Sequence, residues 1–188
     1  MRKIDYWFIV PYFFALIPGL AYYLSKSHGD FVLLVNSSRN LFFDATMPWI
    51  THFGDGWIFA FACLAFLIYK WRLGLVVTAL GLLQLLMSYF LKRVVFKGFP
   101  RPKTYFEELN IPLSFVEGVK VHGYHSFPSG HTMTAFALAF FLALYWKRPY
   151  LSLLLVTLAI LVGFSRVYLL QHFLIDICAG SLVGVILG

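Results

Sequence analysis

The chain has 188 residues, 61% of them apolar and 20% aromatic, with only 12% charged, where an ordinary soluble domain is about half apolar and a quarter charged. That balance excludes a soluble globular fold, the aromatic content excludes a disordered chain, and two cysteines buried in apolar runs, Cys63 and Cys178, exclude a disulfide scaffold. The net charge of +7 forms no contiguous basic stripe, so nucleic acid is not an expected partner; phospholipid headgroups, basic turns at a membrane or an anionic substrate are left to account for it.

A mean hydropathy of +0.80 and apolar runs near the roughly 20 residues that cross a bilayer predict an all-α, polytopic membrane bundle. It is read as a single domain over residues 1–188 with about six spans and a small interfacial helix and loop region. A basic start, Met1 to Lys3, precedes the first span at 4–24, which carries Pro11 and Pro18 and is expected to kink there. It is longer than a signal-peptide core and is followed by no small-residue cleavage site. Asp30 to Asp44 has apolar residues at helical spacing and is predicted to form an interfacial helix. Spans two and three follow at 50–69 and 73–91, separated by Lys70-Trp71-Arg72. The one long polar stretch, 92–129, holds three of the eight carboxylates and four prolines. Spans four, five and six are predicted at 130–146, 150–164 and 168–188, and the last is still apolar at Gly188, which reads as a truncated end.

With the N-terminus inside, the inner side carries Arg2, Lys3, Lys70, Arg72, Lys147 and Arg148, and the outer side the other nine of the fifteen basic residues. Raw counting therefore disobeys the positive-inside rule. Five of those nine fall between Lys92 and Lys103, as a site would require, and seven of the eight carboxylates are also outside. An N-terminus inside is the expected orientation.

Three polar clusters stand out, because charged groups near a bilayer are costly and are kept for a reason. They are KRVVFKGFPRP at Lys92–Pro102, PSGH at Pro128–His131, and SRVYLLQHFLID at Ser165–Asp176. Alternating spans put all three at one membrane face. Lysine, arginine, a helix start with Ser129 and Gly130, and two histidines suit a phosphate: guanidinium groups clamp its oxygens, and helix N–H groups point at it. His172 and Asp176, four apart, fit a nucleophile and the carboxylate that orients it. His131 fits a general acid. Taken singly, PSGH can be a Ser-capped helix start and His172 a polar anchor; together on one face they point to function. His122, His125 and His131 have a spacing that could suit a metal, but without carboxylate or thiolate partners no metal is expected, and no cofactor is expected either. The spans are too poor in charge for an anion transporter or channel.

At these residues the chain resembles the type 2 phosphatidic acid phosphatase superfamily, whose pattern is a lysine followed by RP, then PSGH, then SR-x5-H-x3-D. Pro128 to His131 match the second motif, and Ser165-Arg166, His172 and Asp176 match the third. The first departs: the family has six residues between lysine and RP, whereas Lys92 has eight before Arg101 and Lys97 has three. Lys92, with a two-residue insertion, is preferred; Lys97 is the alternative. The resemblance implies a membrane lipid phosphatase without a metal, acting on a membrane lipid phosphate or diphosphate through a phosphohistidine on His172. Asp176 would orient that residue and His131 would serve as acid and then base. Arg101, Arg166, Ser129, Gly130 and the lysine would hold phosphate, with Ser165 a further candidate. It also implies a bacterial inner membrane with the site on its outer face, and no obligate protein partner. Vanadium haloperoxidases share this pocket but are larger and soluble.

Overall fold

The computed structural model describes residues 5–188; the basic start at Arg2 and Lys3 and the predicted beginning of span one at Ile4 lie outside them. Among the described residues all regular structure is helical, apart from one isolated bridge between Pro100 and Tyr124.

Helix α1, Tyr6–Ser25, runs through both of its prolines and starts on Asp5, whose side chain accepts from the N–H groups of Trp7 and Phe8. The same carboxylate accepts from Ser152 Oγ at 2.6 Å, tying α1 to the first turn of α8 (Pro149–Tyr168). Phe8, Tyr12 and Leu16 recur at i, i+4 and i+8 and bury against Phe136, Val156 and Ala159. The single interfacial helix expected over 30–44 is two, α2 (Asp30–Ser37) and α3 (Leu41–Ile50), because Asn40 caps a second start by accepting from Phe43 N. Helix α3 continues as a 3-10 turn, Thr51–Gly54, then bends by 48° into α4, Gly56–Tyr69. Helix α5, Trp71–Phe90, is prolonged by a π-helical turn, Leu91–Val95.

The loop that follows α5 holds a short helix α6, Pro102–Glu108, started by Pro102 at its first position. Helix α7, Gly130–Trp146, is the central strut and is buried along nearly its whole first half. Helix α8 ends later than the pattern predicts, at Tyr168 rather than 164, so Ser165 and Arg166 lie in its last turn. Helix α9, Leu174–Leu187, starts later than predicted, at 174 rather than 168. The five residues between have Leu170 at φ 56°, a left-handed turn that apolar composition does not reveal.

Helices α1, α5 with its extension, and α8 are each long and apolar enough to cross a membrane, and α3 and α4 qualify together as one bent span. Helices α7 and α9 are apolar but shorter, at 17 and 14 residues, so the figure of six spans is approximate. The chain is an integral membrane protein. Helix α9 lies close against α7 because Gly180 and Gly184 lack side chains: a Cβ there would come within 2.6 Å of Ser129 O and 2.7 Å of Met133 O. Small residues four apart allow this approach in membrane helices. A second apolar cluster, with Val32, Met47, Phe106 and Phe173, seats α2, α3 and α6 over the end of α8 and the start of α9.

Candidate active site

The site lies where the starts of α7 and α9 meet the ends of α5 and α8. Ser129 caps α7, accepting from Thr132 N and from Thr132 Oγ1, the latter at 2.8 Å. Its own N–H donates to the main-chain oxygen of Asp176 at 3.0 Å. The start of α7 is therefore joined to the first turn of α9 through backbone atoms.

His172 and Asp176 meet differently from the sequence expectation, which placed both on one helix face. His172 precedes α9 and its N–H donates to Arg166 O at 3.1 Å. Asp176 sits in the first turn of α9 and turns back: its Oδ2 accepts from Phe173 N at 2.9 Å and faces His172 Nδ1 at 3.2 Å. Ser126 Oγ donates to the same oxygen. Both residues are buried, with His172 only 1% exposed. Imidazole Nδ1 carries the proton toward the carboxylate, and Nε2 is left free. Burial first, then the charges of Arg101, Lys92 and Arg166, hold the His172 pKa well below the usual imidazole range. His172 is thus a neutral base, oriented through its far nitrogen.

Three cations converge there. Arg101, at the start of α6, is fixed through Nε to Tyr124 O at 2.9 Å and through one terminal nitrogen to Gln171 Oε1 at 2.8 Å. Gln171 also donates from Nε2 to Lys120 O at 2.9 Å, which anchors the loop between α6 and α7. Arg166 donates to Thr51 Oγ1 at 2.7 Å, while its Nε is buried without a partner. Leaving such a donor unmade costs roughly 1–3 kcal/mol; the cost is offset if an anion supplies the acceptor. Lys92 lies beside Gly130: a Cβ on Gly130 would stand 3.8 Å from Lys92 Nζ and 3.2 Å from Ser88 Oγ. Lys97 is exposed beyond the π-helical turn. That turn is closed by Phe96 N donating to Leu91 O at 2.8 Å, a five-residue step that takes up extra length where the motif spacing departs.

His131, one residue into α7, is held by Asp55, with Nε2 and Oδ1 2.7 Å apart. The other oxygen of Asp55 lies 2.6 Å from His52 Nδ1 and accepts from Trp57 Nε1 at 3.2 Å. Asp55 stands at the bend between the 3-10 turn and α4. Sequence reasoning missed Asp55, Ser126, Gln171 and Thr51. Ser126, three residues before Ser129, and Gln171, next to His172 inside the third cluster, were within reach as polar neighbours of the motifs; Asp55 and Thr51 come from distant segments and carry no local signal. Ser165 is placed away from a clamp role, since its hydroxyl donates to Val162 O at 2.7 Å. His122 is exposed at the rim. His125 Nε2 is 3.2 Å from Arg93, away from His131's partner.

Fold and site together define a membrane helix bundle in which Lys92, Arg101 and Arg166 gather around two carboxylate-paired histidines. The family model for the PAP2 superfamily matches residues 70–188, and the chain belongs to that superfamily. Among curated proteins it is 40% identical over 79 residues to the putative undecaprenyl-diphosphatase YbjG of Escherichia coli, covering 38% of each chain. It is 35% identical over 79 residues to the lipid A 4'-phosphatase of Porphyromonas gingivalis, covering 39% of this chain and 34% of that one. The matched stretches thus span little more than a third of those relatives. The crystal structure of Aquifex aeolicus LpxE has the same fold, with a TM-score of 0.72 at 24% identity over 85% of this chain and 91% of that one.

Proposed function

We propose that the protein is a metal-independent lipid phosphate phosphatase, hydrolysing a phosphate or diphosphate ester of a membrane lipid at the outer face through a phosphohistidine intermediate. One observation carries the reading: His172, held through Nδ1 by Asp176 at 3.2 Å, lies among three cations, one of which, Arg166, has a buried Nε with no acceptor. Phosphoryl transfer asks for fixed positive charge on the equatorial oxygens and an in-line nucleophile and leaving group. Lys92, Arg101, Arg166 and the N–H groups opening α7 supply the charge.

In the first step the Nε2 lone pair of His172 forms a bond to phosphorus and the bond to the lipid oxygen breaks. Its electron pair stays on that oxygen, which takes a proton from His131. The imidazolium formed at His172 is balanced by Asp176. In the second step His131 takes a proton from water, the hydroxide oxygen bonds to phosphorus, and the P–N bond breaks back to His172, releasing phosphate. The interfacial depth of the pocket and the names of the relatives support a lipid substrate, with undecaprenyl diphosphate, phosphatidylglycerophosphate, phosphatidic acid and lipid A phosphates as the candidates. We read the protein as residing in a bacterial inner membrane with the site on the periplasmic or extracellular side, a reading that the bacterial source of its relatives supports.

The test is phosphate release by the purified protein in detergent with EDTA, on those four lipids. Release from at least one of them in EDTA is expected; release that stops with EDTA and returns with a divalent ion would refute the metal-independent reading. Asp55→Asn tests the acid. Loss of its charge should slow hydrolysis of an alkyl phosphate by about 10²-fold, within the range of general acid catalysis. p-Nitrophenyl phosphate, whose leaving group needs little protonation, should slow by at most about a tenth of that. Equal losses on both in single-turnover release of the leaving group, which precedes the shared hydrolysis of the phosphohistidine, would show that Asp55 holds the fold rather than His131.

A further inference from the structure

A cavity of about 990 Å³ lies between α4, the inner half of α7 and the start of α8. On α4 its wall is Ile58, Ala62, Ala65 and Tyr69, residues four, three and four apart and so one stripe of that helix. On α7 its wall is Leu138, Leu142 and Tyr145. These are seven, eleven and fourteen residues after His131, which puts them on the face that carries His131. Followed upward, the two stripes meet at one place: Asp55, three residues before Ile58, and its 2.7 Å contact with His131.

That placement has a chemical meaning, which rests on the phosphatase reading above. If His172 attacks in line, the leaving oxygen is on the side of phosphorus away from it, next to His131. The remainder of the lipid continues from that oxygen. Gly56, at the top of α4, has open space where a Cβ would stand, and the cavity begins within one turn below it. We infer that the hydrocarbon chain of the lipid phosphate leaves the catalytic pocket past Asp55 and Gly56 and lies in the groove between α4, α7 and α8. The α4 stripe from Ile58 to Tyr69 is about 16 Å long at 1.5 Å per residue, close to half of a roughly 30 Å hydrocarbon core. Two alanines, Ala62 and Ala65, keep it deep. The site therefore binds one extended apolar chain and discriminates by its length: a short chain ends part-way and leaves the lower groove unfilled.

The experiment compares kcat/KM for matched substrates of short and long chain, dioctanoyl and dipalmitoyl phosphatidic acid and geranyl and geranylgeranyl diphosphate, in wild type, Ala65→Phe, Ala65→Trp and Leu64→Trp. Leu64 is 57% exposed and does not line the groove. Wild type should favour the long member of whichever pair it hydrolyses. Ala65→Trp should reduce that long-to-short ratio at least tenfold and Ala65→Phe by less, while Leu64→Trp leaves it within twofold. An unchanged ratio in Ala65→Trp, or an equal change in Leu64→Trp, overturns the groove and leaves the phosphatase reading standing. No phosphate release by wild type from any substrate, including p-nitrophenyl phosphate, overturns both.

Discussion

His172→Gln is expected to abolish phosphate release, by at least about 10³-fold, the scale on which loss of a nucleophile acts in enzymes with a covalent intermediate. The amide keeps the volume and a hydrogen bond toward Asp176 but has no basic nitrogen at the position of Nε2. The loss should be in kcat, because the cations that bind phosphate are untouched. An acid-labile phosphoryl label should be trapped on wild type quenched during turnover and be missing from the variant. Retention of substantial activity, or a label on another residue, would overturn the assignment. Asp176→Asn should lose less, about 10²- to 10⁴-fold, since the nucleophile remains but its tautomer is no longer imposed. A neutral imidazole at full burial also has a cost in stability: in the unfolded chain this group takes up a proton near pH 6.5, and in the fold only well below that. The unfolded state therefore binds more protons as pH falls below about 6.5, and His172 contributes a loss of stability in that direction.

The second large effect is expected at Arg166. Arg166→Lys keeps a charge but cannot place two donors in the fixed fork of a guanidinium, and the lysine ammonium would lack the donor now unpaired at Nε. Loss of a preorganised donor to the transferring group is worth about 10²- to 10³-fold, so kcat/KM should fall by that factor in Arg166→Lys and further in Arg166→Met. Inhibition by inorganic phosphate should weaken in step. Stability should move the other way. Arg166 is 7% exposed, and its side chain adds to a pocket already holding Arg101 and Lys92. Removing one of three mutually repelling buried cations relieves their repulsion and its own desolvation at the loss of the Thr51 hydrogen bond, so Arg166→Met should melt at the same or a higher temperature than wild type in phosphate-free detergent. A variant that loses activity together with several degrees of Tm would mark Arg166 as a strut of the fold.

Much of the helical layout was legible because a bilayer enforces long apolar runs, and α1, α4, α7 and α8 begin near where those runs begin. Boundaries were lost where one apolar run contains a turn. Nothing in YLLQHFLID distinguishes a continuous helix from a break at 169–173, since the break is made by a left-handed Leu170 and by Asp176 accepting from Phe173 N. The motif residues of the site stand close in sequence and could be picked out by type and spacing. Their distant supports could not. Asp55 reaches His131 across 76 positions of chain, and Thr51 reaches Arg166 across 115. A lone aspartate before an apolar helix reads as a cap, and only tertiary packing turns it toward a histidine. The lysine was ambiguous for a local reason: motif spacing assumes a helix of constant pitch, and a π-helical turn at Leu91–Val95 changes it.

The bond from Ser129 N to Asp176 O, backed by the bare flank of Gly180 against Ser129 O, acts as a caliper for the chemistry. It fixes the separation between the turn that presents His172 and the turn that presents His131 by main-chain atoms, and a side chain added at Gly180, whose Cβ would meet Ser129 O at 2.6 Å, would force that separation wider. The gap across which a phosphoryl group must travel is therefore inherited from helix packing. On the proposed mechanism, the loop at 92–129 and the groove are free to diverge around a constant reach between His131 and His172.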